Sequence, residues 1–62
     1  MKNELPAIGA PATRALLSVG ITNLELAGET GEQALLELHG VGPKVLSILR
    51  EALAERGLEM QD

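Results

Sequence analysis

The fold of this chain is predicted most directly by one segment, Leu38-His39-Gly40-Val41-Gly42-Pro43-Lys44. Gly40 can end a preceding helix, because glycine adopts positive φ angles without steric cost. Val41 is expected to point inward and to hold the turn between two helices. Pro43 suits the first position of the next helix, where its missing N–H would have no partner anyway. The stretch therefore predicts two helices that are joined by a tight hairpin.

The same hairpin has the features of a phosphate-binding site. Gly42 lacks a Cβ atom, so another molecule can approach its backbone closely. The N–H groups of Gly42, Lys44 and Val45 are expected to lack acceptors at the helix start, where the helix dipole is positive. Lys44 adds a mobile positive charge. We therefore expect Gly40, Gly42, Lys44 and Val45 to contact a nucleic-acid backbone, with a plain connection between two helices as the alternative.

The first and last helices are predicted from prolines, glycines and apolar spacing. Pro11 is expected to begin the first helix, and Gly20 is expected to end it in a left-handed conformation. Pro43 begins the last and longest helix, which ends at Gly57. In both cases the residue after the glycine is expected to pack back on its helix. No segment alternates between apolar and polar residues with period two, so no strand is expected.

Two sequences between these helices have the capping-box pattern, in which a Thr hydroxyl and a Glu or Gln side chain each satisfy a free N–H. Thr22-Asn23-Leu24-Glu25 predicts a short helix that ends near residues 27–28. Thr30-Gly31-Glu32-Gln33 predicts a helix that continues through Leu38 and is ended by Gly40. The sequence thus predicts an all-α fold, a compact domain of four to five helices.

An internal repeat adds a second hairpin to this fold. With an offset of 33 residues, Leu5-Pro6-Ala7-Ile8-Gly9 aligns with Leu38-His39-Gly40-Val41-Gly42. Almost no chain precedes Leu5, so this first hairpin-like unit is expected to be degenerate, with an irregular lead-in over residues 1–10. Chance similarity between two leucine-rich segments is the alternative explanation. The candidate nucleic-acid contacts that the first unit adds are Gly9, Ala10 and Arg14.

The composition excludes several classes of function. The 62 residues include no cysteine and one histidine, so no disulfide, zinc site or other metal site is expected. No aromatic residue is present to stack on the bases of a single strand. We recognise no catalytic set of residues, so we expect no enzyme, no cofactor and no small-molecule substrate. We expect one cytoplasmic domain, 1–62, with no membrane partner and a frayed tail at 59–62.

The negative charge of the chain is concentrated in its middle. The formal net charge is −4, and Glu25, Glu29, Glu32 and Glu37 lie in a segment without Lys or Arg. The five remaining acidic residues are matched by five basic ones. The acidic segment between Glu25 and Glu37 is expected to be a solvated face, with a docking surface for a protein partner as the alternative. This charge opposes strong nonspecific binding to nucleic acid.

Nearly the whole chain, from Leu5 to Leu58, resembles the C-terminal domain of the bacterial RNA polymerase alpha subunit and its stand-alone relatives. The resemblance is carried by four stretches, Leu16-Leu17-Ser18-Val19-Gly20-Ile21-Thr22-Asn23-Leu24, Glu32-Gln33-Ala34-Leu35-Leu36-Glu37-Leu38, Gly42-Pro43-Lys44 and Leu53-Ala54-Glu55-Arg56-Gly57-Leu58. It implies two helix-hairpin-helix-like units and a role in transcription, with binding across the minor groove of double-stranded DNA through backbone contacts.

Two positions depart from the pattern of that family. Pro11 and Leu17 stand where the family has basic residues, and Arg14 matches a polar position one turn into the first helix. Gly42 and Lys44 match the second hairpin of the family. We therefore expect a non-enzymatic DNA-binding domain whose binding is weak and largely independent of sequence. The alternative is a protein–protein interaction module of the same fold that has lost DNA binding.

Overall fold

Four helices follow one another along residues 4–61, the part of the chain that the computed structural model describes. They are α1 (Ala10–Ser18), α2 (Leu24–Thr30), α3 (Glu32–Leu36) and α4 (Pro43–Glu55). No strand occurs within these residues, and the principal extents of the molecule are 27 × 25 × 19 Å. The predicted all-α fold is therefore confirmed, with four helices. None of the described helices is both long and apolar enough to cross a bilayer.

The core is made of aliphatic side chains from all four helices. Its five largest fully buried side chains are Leu16, Leu24, Leu35, Leu49 and Leu53. Each of these leucines stabilises the fold by about 1.5–3 kcal/mol through the removal of its side chain from water. All the buried side chains among the described residues are apolar. The helices are thus held together by packing, and the polar groups are left on the surface.

The ends of α1 and α4 were predicted correctly. Each helix is followed by a glycine with positive φ, Gly20 at 83° and Gly57 at 74°. The next residue donates its N–H to a carbonyl five residues earlier, at 2.9 Å for Ile21 and 2.8 Å for Leu58. This arrangement satisfies carbonyls that the helix leaves without a partner. Both ends are local structures, which is why the sequence alone predicts them.

The start of α2 differs from the predicted capping box. Asn23, not Thr22, is the N-cap residue, and its side-chain oxygen accepts the Leu26 N–H at 2.8 Å. Asn23 has an extended backbone, with φ −148° and ψ 173°, which aims its short side chain at the first turn. The predicted role of Glu25 in the cap is therefore also wrong.

The boundary between α2 and α3 is also later than predicted. Thr30 is the last residue of α2, and its hydroxyl donates to the Leu26 carbonyl at 2.7 Å instead of capping α3. Gly31 separates the two helices with φ 95° and ψ 158°, a conformation that only glycine adopts readily. Gly28 does not end α2, because it is buried within the helix.

The third helix is shorter than predicted, and it ends at Leu36 rather than continuing through Leu38. The Leu38 N–H donates at 3.1 Å to the carbonyl of Leu35, three residues earlier, whereas the hydrogen bonds of an α-helix span four residues. Leu38 is half-buried and packs against the core from outside any helix. The chain therefore leaves α3 and enters the turn of the second hairpin through a short tightened segment.

The segment after α4 is held against the domain as far as Gln61. The Gln61 N–H donates to the Gly28 carbonyl, and the Gln61 carbonyl accepts the Glu32 N–H, both at 2.9 Å. The structure thus differs from the expected frayed tail over residues 59–61. The reason is a main-chain pairing that residue types do not reveal. Asp62, the last residue of that predicted tail, lies outside the described residues.

Candidate nucleic-acid interface

The second hairpin closes through a turn from Leu38 to Val41. The Val41 N–H donates to the Leu38 carbonyl at 3.2 Å, and Gly40 occupies the third position of the turn with φ 92°. A positive φ at that position favours glycine over every other residue. Val41 is only 6% exposed, so it points inward as predicted and anchors the turn in the core.

The start of α4 presents unpaired backbone donors. Gly42 is the N-cap residue, and its carbonyl accepts the Leu46 N–H at 3.0 Å, the first i→i−4 hydrogen bond of the helix. The N–H groups of Gly42, Lys44 and Val45 have no hydrogen-bond acceptor within residues 4–61, in agreement with the prediction. The helix dipole adds partial positive charge at this end of a thirteen-residue helix. These N–H groups can therefore donate hydrogen bonds to the oxygens of an anion.

The backbone around Gly42 is open to an approaching molecule. A Cβ atom built on Gly42 would meet no other atom within 4 Å. The Lys44 side chain is exposed beside it, and Val45 is half-buried with its side chain packed against the core. The second hairpin thus combines an accessible backbone, free N–H groups and a cation within four consecutive residues.

Two cations in the described part of the chain make no ion pair, and both are predicted contact residues. Lys44 and Arg14 are exposed and have no carboxylate within salt-bridge distance. In contrast, Arg50 pairs with Glu32, and the Arg56 guanidinium donates to a carbonyl of its own helix at 2.9 Å. The structure therefore leaves the cations of α1 and of the α4 start available to another molecule.

The first hairpin-like unit keeps the helix start but not the turn. Its helix begins at Ala10, 33 residues before Pro43, and the Thr13 N–H donates to the Gly9 carbonyl at 3.0 Å. No hydrogen bond joins Leu5 to Ile8, and residues 4–9 form no helix. Residues 4–9 are thus irregular, as expected, whereas the degenerate first unit itself stays a prediction. Gly9 and Ala10 are exposed at the start of α1.

The turn of the second hairpin lies directly against the start of α1. A Cβ built on Gly40 would be 2.8 Å from the Pro11 carbonyl oxygen and 3.5 Å from the Ala12 nitrogen. Only glycine permits this approach, since real Cβ atoms do not come so near to a backbone oxygen. Gly40 is therefore required by the packing of this turn on the first residues of α1. The sequence predicted Gly40 as a nucleic-acid contact and did not reveal this internal role, because the contact joins residues far apart in the chain.

A groove beside the second hairpin was not foreseen from the sequence. Its volume is about 390 Å³, and its lining residues are Glu32, Leu36, Pro43, Leu46, Ser47 and Arg50. It lies between α3 and α4, and the Glu32–Arg50 ion pair contributes to its wall. Leu36, the last residue of α3, lines the groove and is 40% exposed.

The acidic segment is less uniform than its sequence indicates. Glu25, Glu29 and Glu37 are exposed, whereas Glu32 is partly covered and pairs with Arg50. Within residues 4–61, no group of three or more His, Cys, Asp or Glu side chains is placed to hold a metal ion. The acidic residues therefore form a charged surface.

Comparison with known proteins identified no relative of this chain. No family model matches it, and no curated protein or solved structure is similar to it. The resemblance to the RNA polymerase alpha C-terminal domain therefore stays a prediction that rests on the residues quoted for it. The starts of α1 and α4 are the features of the structure that bear on function.

Proposed function

We propose that this chain is a non-enzymatic domain that binds the sugar–phosphate backbone of double-stranded DNA through its second hairpin. The observation that carries the proposal is the start of α4, where three unpaired N–H groups lie beside the unpaired Lys44 ammonium. Such a helix start favours phosphate oxygens because both its N–H groups and its dipole are positive toward them. The proposal includes a cytoplasmic location and an association with DNA in transcription.

The chemistry of the hairpin favours a duplex backbone over a single strand or a base-specific site. The chain has no aromatic side chain on which unpaired bases could stack. Contacts from N–H groups and a lysine to phosphates position a protein without reading sequence. Binding should be weak because the net charge of −4 repels DNA at long range.

The first hairpin-like unit supplies the second contact in this proposal. Its helix start carries the exposed Gly9 and Ala10 backbone, and Arg14 lies one turn further along α1 without an ion pair. The packing of Gly40 on Pro11 fixes the second turn relative to the start of α1. The duplex would then meet both helix starts across its minor groove, as the resemblance implies.

The salt dependence of DNA affinity tests the proposal. A labelled duplex is titrated with the protein at about 50 and about 200 mM salt, and the slope of log affinity against log salt gives the number of phosphates neutralised. We expect two to four contacts, and Lys44→Ala should reduce the slope by about one. Lys44→Arg should keep the slope, since it keeps the charge.

Arg56→Gln is the matched control for Lys44→Ala. It removes the same charge from the chain, but at a guanidinium that is already hydrogen-bonded to the Ala52 carbonyl. We expect it to leave the slope within experimental error of the unchanged protein. Absence of binding at low salt and millimolar DNA would contradict the proposal, as would equal slopes for Lys44→Ala and the control.

An interaction module without DNA binding is the second candidate function. The observation that favours it is the exposure of Leu17 and Val19 at the end of α1, at 50% and 53%. Leu17 also stands where the family that this chain resembles has a basic residue. Backbone NMR shifts discriminate the candidates, since DNA should perturb residues 40–45. Shifts confined to Leu17 and Val19 or to the Glu25–Glu37 face on adding a protein partner would favour the second candidate.

A further inference from the structure

The segment Leu58–Gln61, which we call the C-terminal strap, crosses from the end of α4 to the junction of α2 and α3. The Leu58 N–H closes the end of α4, and Leu58 and Met60 pack partly buried against the core. The Gln61 backbone then makes two hydrogen bonds of 2.9 Å, one to Gly28 and one to Glu32. The strap is therefore tied to the domain at both of its ends.

Gly28 provides the space in which the strap lies. It is a helical residue with an ordinary φ, so its backbone does not require glycine. A Cβ at this position would be 3.1 Å from the Glu59 carbonyl oxygen and 3.3 Å from Leu53 Cδ2. The absence of a side chain at Gly28 thus lets the strap approach the backbone of α2.

The strap caps α3, which has no cap of its own. Gly31 precedes α3 and has no side chain to accept a helix N–H, so the Gln61 carbonyl accepts the N–H of Glu32 instead. A helix of five residues is far too short to be stable alone. The Glu32 side chain also pairs with Arg50 of α4. The start of α3 is thus held by the strap on one side and by α4 on the other.

We infer that the C-terminal strap is a conformational latch that holds α3 and, through α3, the second hairpin. The end of α3 is followed at once by the turn from Leu38 to Val41, so loosening of α3 removes the fixed lead into that turn. A docked strap keeps the turn closed, and a released strap loosens it. The latch itself does not depend on the proposed function, whereas its effect on DNA binding does.

Amide hydrogen exchange of the full chain by NMR tests the latch with two variants of one residue. Gln61→Pro deletes the N–H that donates to Gly28, whereas Gln61→Ala keeps both backbone hydrogen bonds because the Gln61 side chain is exposed. We expect exchange of the Glu32 and Leu35 amides to rise about fivefold to tenfold in Gln61→Pro, the effect of one lost hydrogen bond. Gln61→Ala should change these rates by less than about twofold.

The amides of Thr13 and Ile21 report on α1, which the strap does not contact through any hydrogen bond between described residues. The latch predicts that the Val41 amide accelerates with α3 while the two α1 amides keep their rates. An equal acceleration of all amides would overturn the inference, because the strap would then contribute only to global stability. Unchanged Glu32 and Leu35 rates in Gln61→Pro would overturn it as well.

Gly28→Ala is the second variant, and it separates local release from global destabilisation. It places a Cβ 3.1 Å from the Glu59 carbonyl oxygen, so the strap must shift by a few tenths of an ångström, while alanine favours the helical backbone of α2 more than glycine does. We expect faster exchange at Gln61 and Glu32 with unchanged or slower exchange within α2. Faster exchange at Gln61 with an unchanged rate at Glu32 would overturn the inference, because the strap would then loosen without α3.

DNA titration of the same variants connects the latch to the proposed function. If the unchanged protein binds DNA, Gln61→Pro should weaken that binding and Gln61→Ala should not. Equal affinity of the two variants would contradict the coupling of the strap to the hairpin. If the unchanged protein does not bind DNA, the proposed function fails, and the exchange rates alone decide whether the latch exists.

Discussion

The first and second hairpin-like units begin their helices at the same place in the repeat, but only the second closes a turn before its helix. In the second hairpin, Gly40 takes φ 92° inside a hydrogen-bonded turn and Gly42 caps α4 with φ −124°. In the first, Ala7 stands in place of Gly40, and the positive φ of 92° belongs to the N-cap residue Gly9. The helix start and the turn are therefore separable features.

This difference shows which part of a hairpin is needed to present backbone donors. Both α1 and α4 begin with a glycine cap whose carbonyl accepts the first i→i−4 hydrogen bond of the helix, at 3.0 Å in each case. Among the described residues, only the second has a helix leading into it and a lysine in its first turn. Substitutions at equivalent positions of the two units measure how far they correspond.

The largest effect is expected at the paired core leucines. Leu16 and Leu49 occupy equivalent positions of the repeat, and both are 0% exposed. Replacement of either by alanine should lower the free energy of unfolding by about 2–5 kcal/mol, because it removes buried methyl groups and leaves a cavity. Urea denaturation followed by circular dichroism measures the loss. A cost below about 1 kcal/mol at Leu16 would show that the first unit is not part of the same core.

The next effect concerns the contact between the second turn and the start of α1. Gly40→Ala should destabilise the domain by about 2–3 kcal/mol, because alanine is strained at φ 92° and its Cβ would press on the Pro11 carbonyl oxygen. Gly20→Ala is the matched control, since it has a similar φ of 83° and open space around its Cβ. The difference between the two variants in thermal denaturation isolates the close approach. Equal losses would contradict a tight contact between this turn and α1.

A smaller effect distinguishes the two N-cap glycines. Gly9→Ala should cost about 1–2 kcal/mol, because Gly9 has φ 92° and its Cβ would meet only Pro11 Cδ, at 3.9 Å. Gly42→Ala should cost about 1 kcal/mol or less, since Gly42 has an ordinary φ and open surroundings. Chemical denaturation of both variants gives the comparison. A larger loss of stability in Gly42→Ala than in Gly9→Ala would contradict the conformations of the two N-cap residues.

The smallest effect is a gain of charge in the first unit. Pro11 occupies the position equivalent to Lys44, so Pro11→Lys should make the first helix start resemble the second. If the proposed function holds, the salt slope of DNA binding should steepen by about one, with a stability change of about 1 kcal/mol or less. Pro11→Gln is the uncharged control. An unchanged slope in Pro11→Lys would mean that the first unit does not face DNA.

Local signals in the sequence predicted the parts of the fold that depend on few residues. Gly20 and Gly57 end their helices as predicted, because a glycine in the left-handed conformation needs no distant partner. Pro43 begins α4 for a similar reason. In contrast, α2 begins where it does because Asn23, and not Thr22, caps it, and α2 continues past Gly28 because that glycine is buried within the helix. Neither feature is visible in the residue pattern.

The candidate site was predicted in part. The unpaired N–H groups of Gly42 and Lys44 follow from the geometry of any helix start, so the sequence was sufficient to foresee them. The contact of Gly40 with Pro11 joins two repeats through backbone atoms, and no side-chain pattern records it. The anchoring of Gln61 is hidden from sequence in the same way, since both of its hydrogen bonds belong to the main chain.

The contact between the second turn and the start of α1 also bears on how this fold can diverge. Position 11 contributes its carbonyl group to that contact, which every amino acid possesses, whereas position 40 contributes the absence of a side chain. Substitution can therefore alter the charge at position 11 while this contact stays intact, whereas any side chain at position 40 destabilises it. Chains of this fold can thus differ in charge at the start of α1 and keep the same packing.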